Sequence, residues 1–332
     1  GGPGAIFWMW VSAFLGMATI YVEATLAQKF KSTKDGVVVG GPRYYIMAAF
    51  KGKFGKVLAA IFSILIVLAL GFMGNMVQSN AIGNAFESAF NIPAWTMGIA
   101  VAAIAVVIFI GGVKRIASVT EKLVPFMALL YIVGALIVIF ANVTKIPGAF
   151  GQIFVGAFNP QAVTGGVIGI TIQKAMRFGV ARGLFSNEAG MGSAPNVAAT
   201  AFVSHPVKQG LIQTLGVFTD TLIICSCTAF IILFSGAPLD GSTNGVQLTQ
   251  HALNNEIGSI FVAVALFFFA FSSIIGNYYY GEANIRYLTH KRWIVYLYRL
   301  LVGGMVWVGA MSTLDFVWGL ADITMGLMAI CN

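Results

Sequence analysis

Long apolar runs recur along the whole chain, each closed by a short polar or basic segment. A membrane-spanning helix needs roughly 20 predominantly apolar residues. The runs at 5–28, 94–113, 123–142, 209–235, 258–280, 293–311 and 314–330 fit that description. Another starts after Lys56 and is apolar through Phe72, then changes to Gly74-Asn75-Met76-Val77-Gln78-Ser79-Asn80. None shows the alternation of a transmembrane barrel strand. Pro125 falls in the first turn of the 123–142 helix, where proline is tolerated. Segment 31–52 reads as a polar loop with a short interfacial helix near 44–50, and 143–164 as a long connection with Pro147 and Pro160.

The pattern fails in one place. Residues 183–198, Gly-Leu-Phe-Ser-Asn-Glu-Ala-Gly-Met-Gly-Ser-Ala-Pro-Asn-Val-Ala, hold three glycines, a proline and a carboxylate between two apolar arms. Glycine and proline disfavour a continuous helix. At membrane depth, irregular backbone survives only where protein or a water-filled cavity covers it. The stretch therefore predicts a broken helix, with an outer half at 166–182, a break at 183–192 and an inner half at 192–203. The break frees carbonyls, which suit a cation, and N–H groups, which suit a carboxylate. Asn187, Gly190 and Ser193 are candidate substrate contacts there, with Ser186 nearby. The competing interpretation is helix packing through small residues.

Charge sets the orientation. Lys29, Lys31, Lys34, Arg43, Lys51, Lys53 and Lys56 cluster in one connection, Lys114, Arg115 and Lys122 in another, and Arg286, Lys291, Arg292 and Arg299 in a third. Segments 77–95 and 237–258 contain no Lys or Arg. This alternation follows the positive-inside rule and puts the basic connections in the cytoplasm. It also accounts for the net charge of +8 without a nucleic-acid partner. With 58% hydrophobic and 9% charged residues, the chain lies far from soluble-domain composition. The fold expected is an all-α polytopic transmembrane bundle, a single domain over 1–332. The three cysteines suggest no redox or metal role, no cofactor is implied, and His205, His251 and His290 make no metal spacing.

Buried polar side chains are the remaining candidates. Asn75 and Gln78 share a helix face and are expected to point inward. Asp220 lies deep in its helix and is either functional or a structural tie; Asp322 is similar. Glu23 reads as structural, and Glu188 as a site carboxylate or a cap. Arg177 and Arg182 either line an aqueous vestibule, form an outer-gate ion pair, or snorkel to the interface.

Three stretches carry a resemblance: Gly2-Pro3-Gly4-Ala5-Ile6-Phe7-Trp8-Met9-Trp10; Gly183 to Pro195; and Ser272-Ser273-Ile274-Ile275-Gly276 followed by Tyr278-Tyr279-Tyr280-Gly281-Glu282. Across essentially its full length the chain resembles the alanine/glycine:cation symporter family, the sodium-coupled alanine transporters. The resemblance implies a LeuT-type 5+5 inverted repeat, with 1–142 the remainder of the first repeat and 165–332 the second. On that expectation the first broken helix lies upstream of Gly1, and the chain is a fragment cut at both ends. It further implies sodium-coupled uptake of a small neutral amino acid such as alanine or glycine, in the cell membrane, with proton coupling as the alternative. Phe72, Asn75, Gln78, Ser273 and Asn277 are then expected at the substrate, and Ser272 and Ser273 at sodium. Asn277 stands where the family pattern has Trp, which predicts a larger, more polar pocket.

Overall fold

The computed structural model describes residues 1–34, 37–159, 171–237, 239, 243–253 and 256–332. Among these, seven helices are long and apolar enough to cross a membrane, and Ala94–Ile110 is a shorter apolar helix. The elements in chain order are α1 (Gly4–Lys29), a two-stranded antiparallel ribbon of β1 (Ser32–Lys34) and β2 (Val37–Val39), and α2 (Pro42–Ala49). Then follow α3 (Lys53–Phe90), α4 (Ala94–Ile110), α5 (Gly112–Ala141), α6 (Ile146–Phe158) and α7 (Ile172–Asn187). The last are α8 (Pro195–Ala198), α9 (Pro206–Ser235), α10 (Val246–Leu253), α11 (Glu256–Leu288), α12 (Arg292–Met311) and α13 (Leu314–Cys331).

Several boundaries differ from the sequence expectation, each for a physical reason. Pro125 lies inside the 30-residue α5, not in its first turn. Transmembrane helices accept proline where neighbouring groups re-satisfy the freed backbone. Helix α3 carries Asn75 and Gln78, as expected, and runs on to Phe90 through a π-helical segment at Val67–Gly74 that the sequence did not announce. The connection after α5 contains α6, and the one after α9 contains α10. Residues 160–170, which include Pro160 and the expected start of the outer half-helix, lie outside the described residues.

The chain divides into two compact units. The first comprises 1–25, 129–190 and 204–258. Within it, Gly4 of α1 lies against the backbone of Gly156 in α6, leaving no room for a side chain. Trp10 Nε1 donates to Ser226 Oγ of α9 at 2.8 Å, and Tyr131 bonds Thr228. Phe7, Trp8, Phe154 and Phe158 form an aromatic cluster beside these contacts.

The second unit comprises 26–128, 191–203 and 259–332. Its core joins α4, α11 and α12 through Val101, Phe109, Ile274, Ile275, Tyr278, Tyr298, Val302 and Val306. Phe109 and Tyr278 stack at 3.7 Å between centroids. A Cβ on Gly309 would sit 2.5 Å from Met76 Cα, so α12 approaches α3 at backbone distance. Asn80 Nδ2 locks the pair by donating to Gly309 O at 3.0 Å and Ser312 O at 2.6 Å. Phe126, Leu129, Val133, Ile137 and Phe140 of α5 are all exposed at helical spacing, as lipid contact requires.

Candidate functional site

Helix α7 ends inside the expected break, which begins five residues later than the sequence suggests. Gly183 lies inside α7, where it lets Ser12 approach: a Cβ there would be 3.2 Å from Ser12 Oγ. The helix ends when Glu188 adopts a left-handed conformation at φ 55°, and Gly190 (φ 88°) and Gly192 (φ 82°) continue the irregular path. Asn187 Oδ1 accepts from Ala189 N at 3.0 Å, a local turn that satisfies the first freed amide.

In the first unit, three side chains hold the end of α7. Asn187 Nδ2 donates to Thr221 Oγ1 at 3.2 Å. Ser186 donates to Asp220, which also accepts from Thr221 Oγ1 at 3.2 Å. Gly190 N donates to Glu23 Oε2 at 2.9 Å. Thr221 and Asp220 lie on a second π-helical segment, Phe218–Ile224 of α9. Single π-turns inside α-helices occur frequently at functional sites. Glu23, which the sequence suggested was structural, is buried and reaches the break directly. The signal for it was a carboxylate embedded in an apolar helix.

In the second unit, the inner arm departs from expectation. Only Pro195–Ala198 is helical, and 199–201 are turns and a bend. Four residues carry little macrodipole, so the expected anion-binding half-helix end is not formed in that way. Side chains hold this arm instead. Asn196 Nδ2 donates to Gly192 O (3.0 Å) and Ser193 O (2.9 Å), while its Oδ1 accepts from Arg43 Nη1 (2.9 Å) and Asn284 Nδ2 (3.1 Å). Gln28 Nε2 donates to Ala198 O at 2.5 Å and to Ala201 O at 2.9 Å. Ser193 is fully buried. Arg43 is 1% exposed, packs on the rings of Tyr44 and Tyr287, and leaves its Nε without a partner; Asn284 Oδ1 is likewise unpartnered. Burial pushes the Arg43 guanidinium down from its ordinary value, against the pull of the surrounding tyrosines. Gln28, Arg43, Asn196 and Asn284 were not among the sequence candidates, because nothing in their spacing shows that they converge.

The π segment of α3 brings other candidates together in this same unit. Asn75 follows it, fully buried, with Nδ2 donating to Gly71 O at 2.9 Å and Oδ1 making no hydrogen bond. A Cβ on Gly74 would meet Asn277 Nδ2 at 3.0 Å, so Asn277 approaches α3 beside Asn75. Asn277 is 4% exposed. Phe72 is half-buried and packs on Tyr298, 5.7 Å between centroids. Gln78 is half-buried and makes no side-chain hydrogen bond among the described residues. Ser272 and Ser273 donate back to Phe269 O at 2.8 and 3.1 Å, which leaves their oxygen lone pairs available to a cation. Ser272 also touches Met127 Sδ at 3.6 Å.

Comparison with known proteins shows the family of the chain. The sodium:alanine symporter family matches residues 1–332. The "Probable sodium/glutamine symporter GlnT" of Bacillus subtilis is 48% identical, over all of this chain and 69% of its own length. The sodium/alanine symporter AgcS of Methanococcus maripaludis is 40% identical, over all of this chain and 74% of its own. The sodium/proton-dependent alanine carrier protein of Bacillus sp. strain PS3 is 38% identical, over all of this chain and 77% of its own. The chain belongs to the sodium:alanine symporter family, and is a polytopic helical membrane transporter, not an enzyme.

Proposed function

We propose that the protein carries a small neutral amino acid into the cell with sodium, across the cell membrane, by alternating access. The observation that carries the reading is the Asn75 carbonyl oxygen. It is sealed from water without a donor, a state that costs roughly 1–3 kcal/mol unless something supplies one. The ammonium group of an amino acid supplies one. In the same unit Asn277, Ser193, Phe72 and Gln78 are proposed to face the substrate, and Ser272 and Ser273 to ligate sodium through oxygen. In the other unit Asn187 and Gly190 are proposed as substrate contacts on the break. Asn277 in place of an indole admits side chains longer than a methyl. One relative's name supports that extension, since it is given as a sodium/glutamine symporter.

The LeuT-type 5+5 repeat, with 165–332 as its second half, is part of this proposal. The order of elements supports it: the broken helix α7–α8 precedes four apolar helices, α9, α11, α12 and α13, and four others come before it. Proton coupling is the second reading. It is favoured by Asp220, a carboxylate in a membrane span that has hydroxyl partners and no basic one among the described residues, and by the relative named for both ions.

Uptake of labelled alanine into proteoliposomes tests the reading. A sodium gradient is expected to drive accumulation, and a potassium gradient of the same size is not. A pH gradient alone is expected to add nothing. Accumulation that ignores sodium would overturn the proposal, and accumulation that follows the pH gradient would replace it with the second reading.

A further inference from the structure

A cavity of about 300 Å³ in the second unit is lined by Arg286, Arg292, Val295, Tyr296 and Arg299. Three guanidinium groups therefore surround one small space. Among the described residues, only Glu282 answers them. Its Oε1 accepts from Arg286 Nε at 2.8 Å and Nη2 at 2.6 Å, and lies 3.5 Å from Arg299 Nη2. Arg292 makes no ion pair or hydrogen bond among the described residues. Three cations against one carboxylate leave two positive charges without a counterion at the cavity. Arg299 is 8% exposed, held by Tyr278 Oη at 2.8 Å and over the ring of Tyr296. A buried guanidinium fixed from behind is preorganised to present its remaining donors forward.

We propose that this cavity binds a phosphate anion, namely the phosphodiester headgroup of an anionic membrane lipid. Guanidinium forks match phosphate oxygens in geometry as well as charge. Basic pockets between membrane helices on the cytoplasmic side suit such headgroups. The surroundings favour a lipid over a free ion. Val295 and Tyr296 give the cavity an apolar and aromatic wall, and Trp293, Leu297 and Leu300 of the same helix are 61%, 44% and 68% exposed. Indole and phenol rings settle at the headgroup level of a bilayer, and the leucines offer a surface to acyl chains. Arg299 joins the cavity to the transport machinery, because its partner Tyr278 adjoins Asn277 on α11. A headgroup that draws Arg299 away from Tyr278 acts directly on that helix turn.

Native mass spectrometry of the purified full chain tests this with phosphatidylglycerol and phosphatidylcholine offered at equal concentration. Phosphatidylglycerol is expected to be retained preferentially. Arg292→Gln should weaken its retention about fivefold and Arg286→Gln/Arg292→Gln further, since each interfacial arginine contributes on that order. Arg292→Lys should retain part of the binding. Lys291→Gln, which removes a neighbouring exposed charge outside the cavity, should leave it unchanged. Arg292 is exposed in the first turn of α12, so its single variant is read in a folded protein. Equal retention of the two lipids, or an equal loss in Lys291→Gln, would overturn the proposal in favour of diffuse surface charge. Inorganic phosphate that binds through Arg292 when phosphatidylglycerol does not would overturn it in favour of a free-anion site.

Discussion

Asn75 and Asn277 differ in what their burial demands. The Asn75 amide spends its donor on Gly71 O and leaves its acceptor empty at full burial. Replacing it with Leu, which has the same number and branching of side-chain heavy atoms, removes the orphan acceptor together with one ordinary hydrogen bond. The two changes offset, so thermal stability is expected to shift by less than about 1 kcal/mol. If that oxygen receives the substrate ammonium, alanine uptake should fall about tenfold or more, the usual loss for a hydrogen bond to a charged group. A melting curve and an uptake rate on the same preparation separate the effects; loss of both in parallel would make Asn75 a structural residue. Asn277 poses a question of size. It is 4% exposed and lies beside Gly74, so Asn277→Trp adds an indole to a nearly closed space. Glutamine uptake is expected to fall about tenfold relative to glycine, the scale at which pockets reject added methylene groups. Unchanged glutamine-to-glycine competition would show that Asn277 does not face the substrate. The burial of Asn75 was readable from sequence because amides are costly on a lipid face, whereas Asn277 was singled out only by the family resemblance; both are buried. Their partners were not readable, since Gly71 and Gly74 are identified only by what packs against them.

The elements show where local reading runs out. A string of helix breakers announces that a helix stops, and the stop was legible; its position was not, because glycine serves two ends. Gly183 admits a neighbouring helix, whereas Gly190 and Gly192 carry positive φ. The π segments Val67–Gly74 and Phe218–Ile224 left no sequence signature either, because an extra residue per turn is invisible to hydrophobic periodicity. Nor did the inner arm show that side-chain amides would replace its helix. Gly192 is the strictest position in that arm. Its φ of 82° is left-handed, and a Cβ would lie 2.8 Å from the Phe62 ring and 2.9 Å from Pro42 Cγ. Gly192→Ala is expected to cost about 1–2 kcal/mol for the backbone and about 1–3 kcal/mol for overpacking. The predicted readout is a lowered melting temperature with uptake abolished or nearly so. A variant that melts and transports like the parent would mean that the break relaxes freely.

Orientation in the membrane belongs to the molecule as a whole and follows from the distribution of charge, not from any one contact. The fold class was legible at this scale because apolar length and the sign of the flanking charges are properties of long segments, which single packing details cannot alter. The second unit's polar network of Gln28, Arg43, Asn196 and Asn284 was not, since its members are up to 256 positions apart in sequence. If the positive-inside reading holds, Lys51 and Lys291 face the cytoplasm and Glu87 faces outward. All three are exposed. In a background with Cys225, Cys227 and Cys331 replaced, a membrane-impermeant maleimide added to intact cells should label Glu87→Cys and spare Lys51→Cys and Lys291→Cys. Permeabilised cells should label all three. Labelling of Lys51→Cys or Lys291→Cys from outside would invert the topology. It would also remove the cytoplasmic placement of the arginine-lined cavity, whose anion chemistry rests on its residues but whose lipid leaflet rests on this orientation.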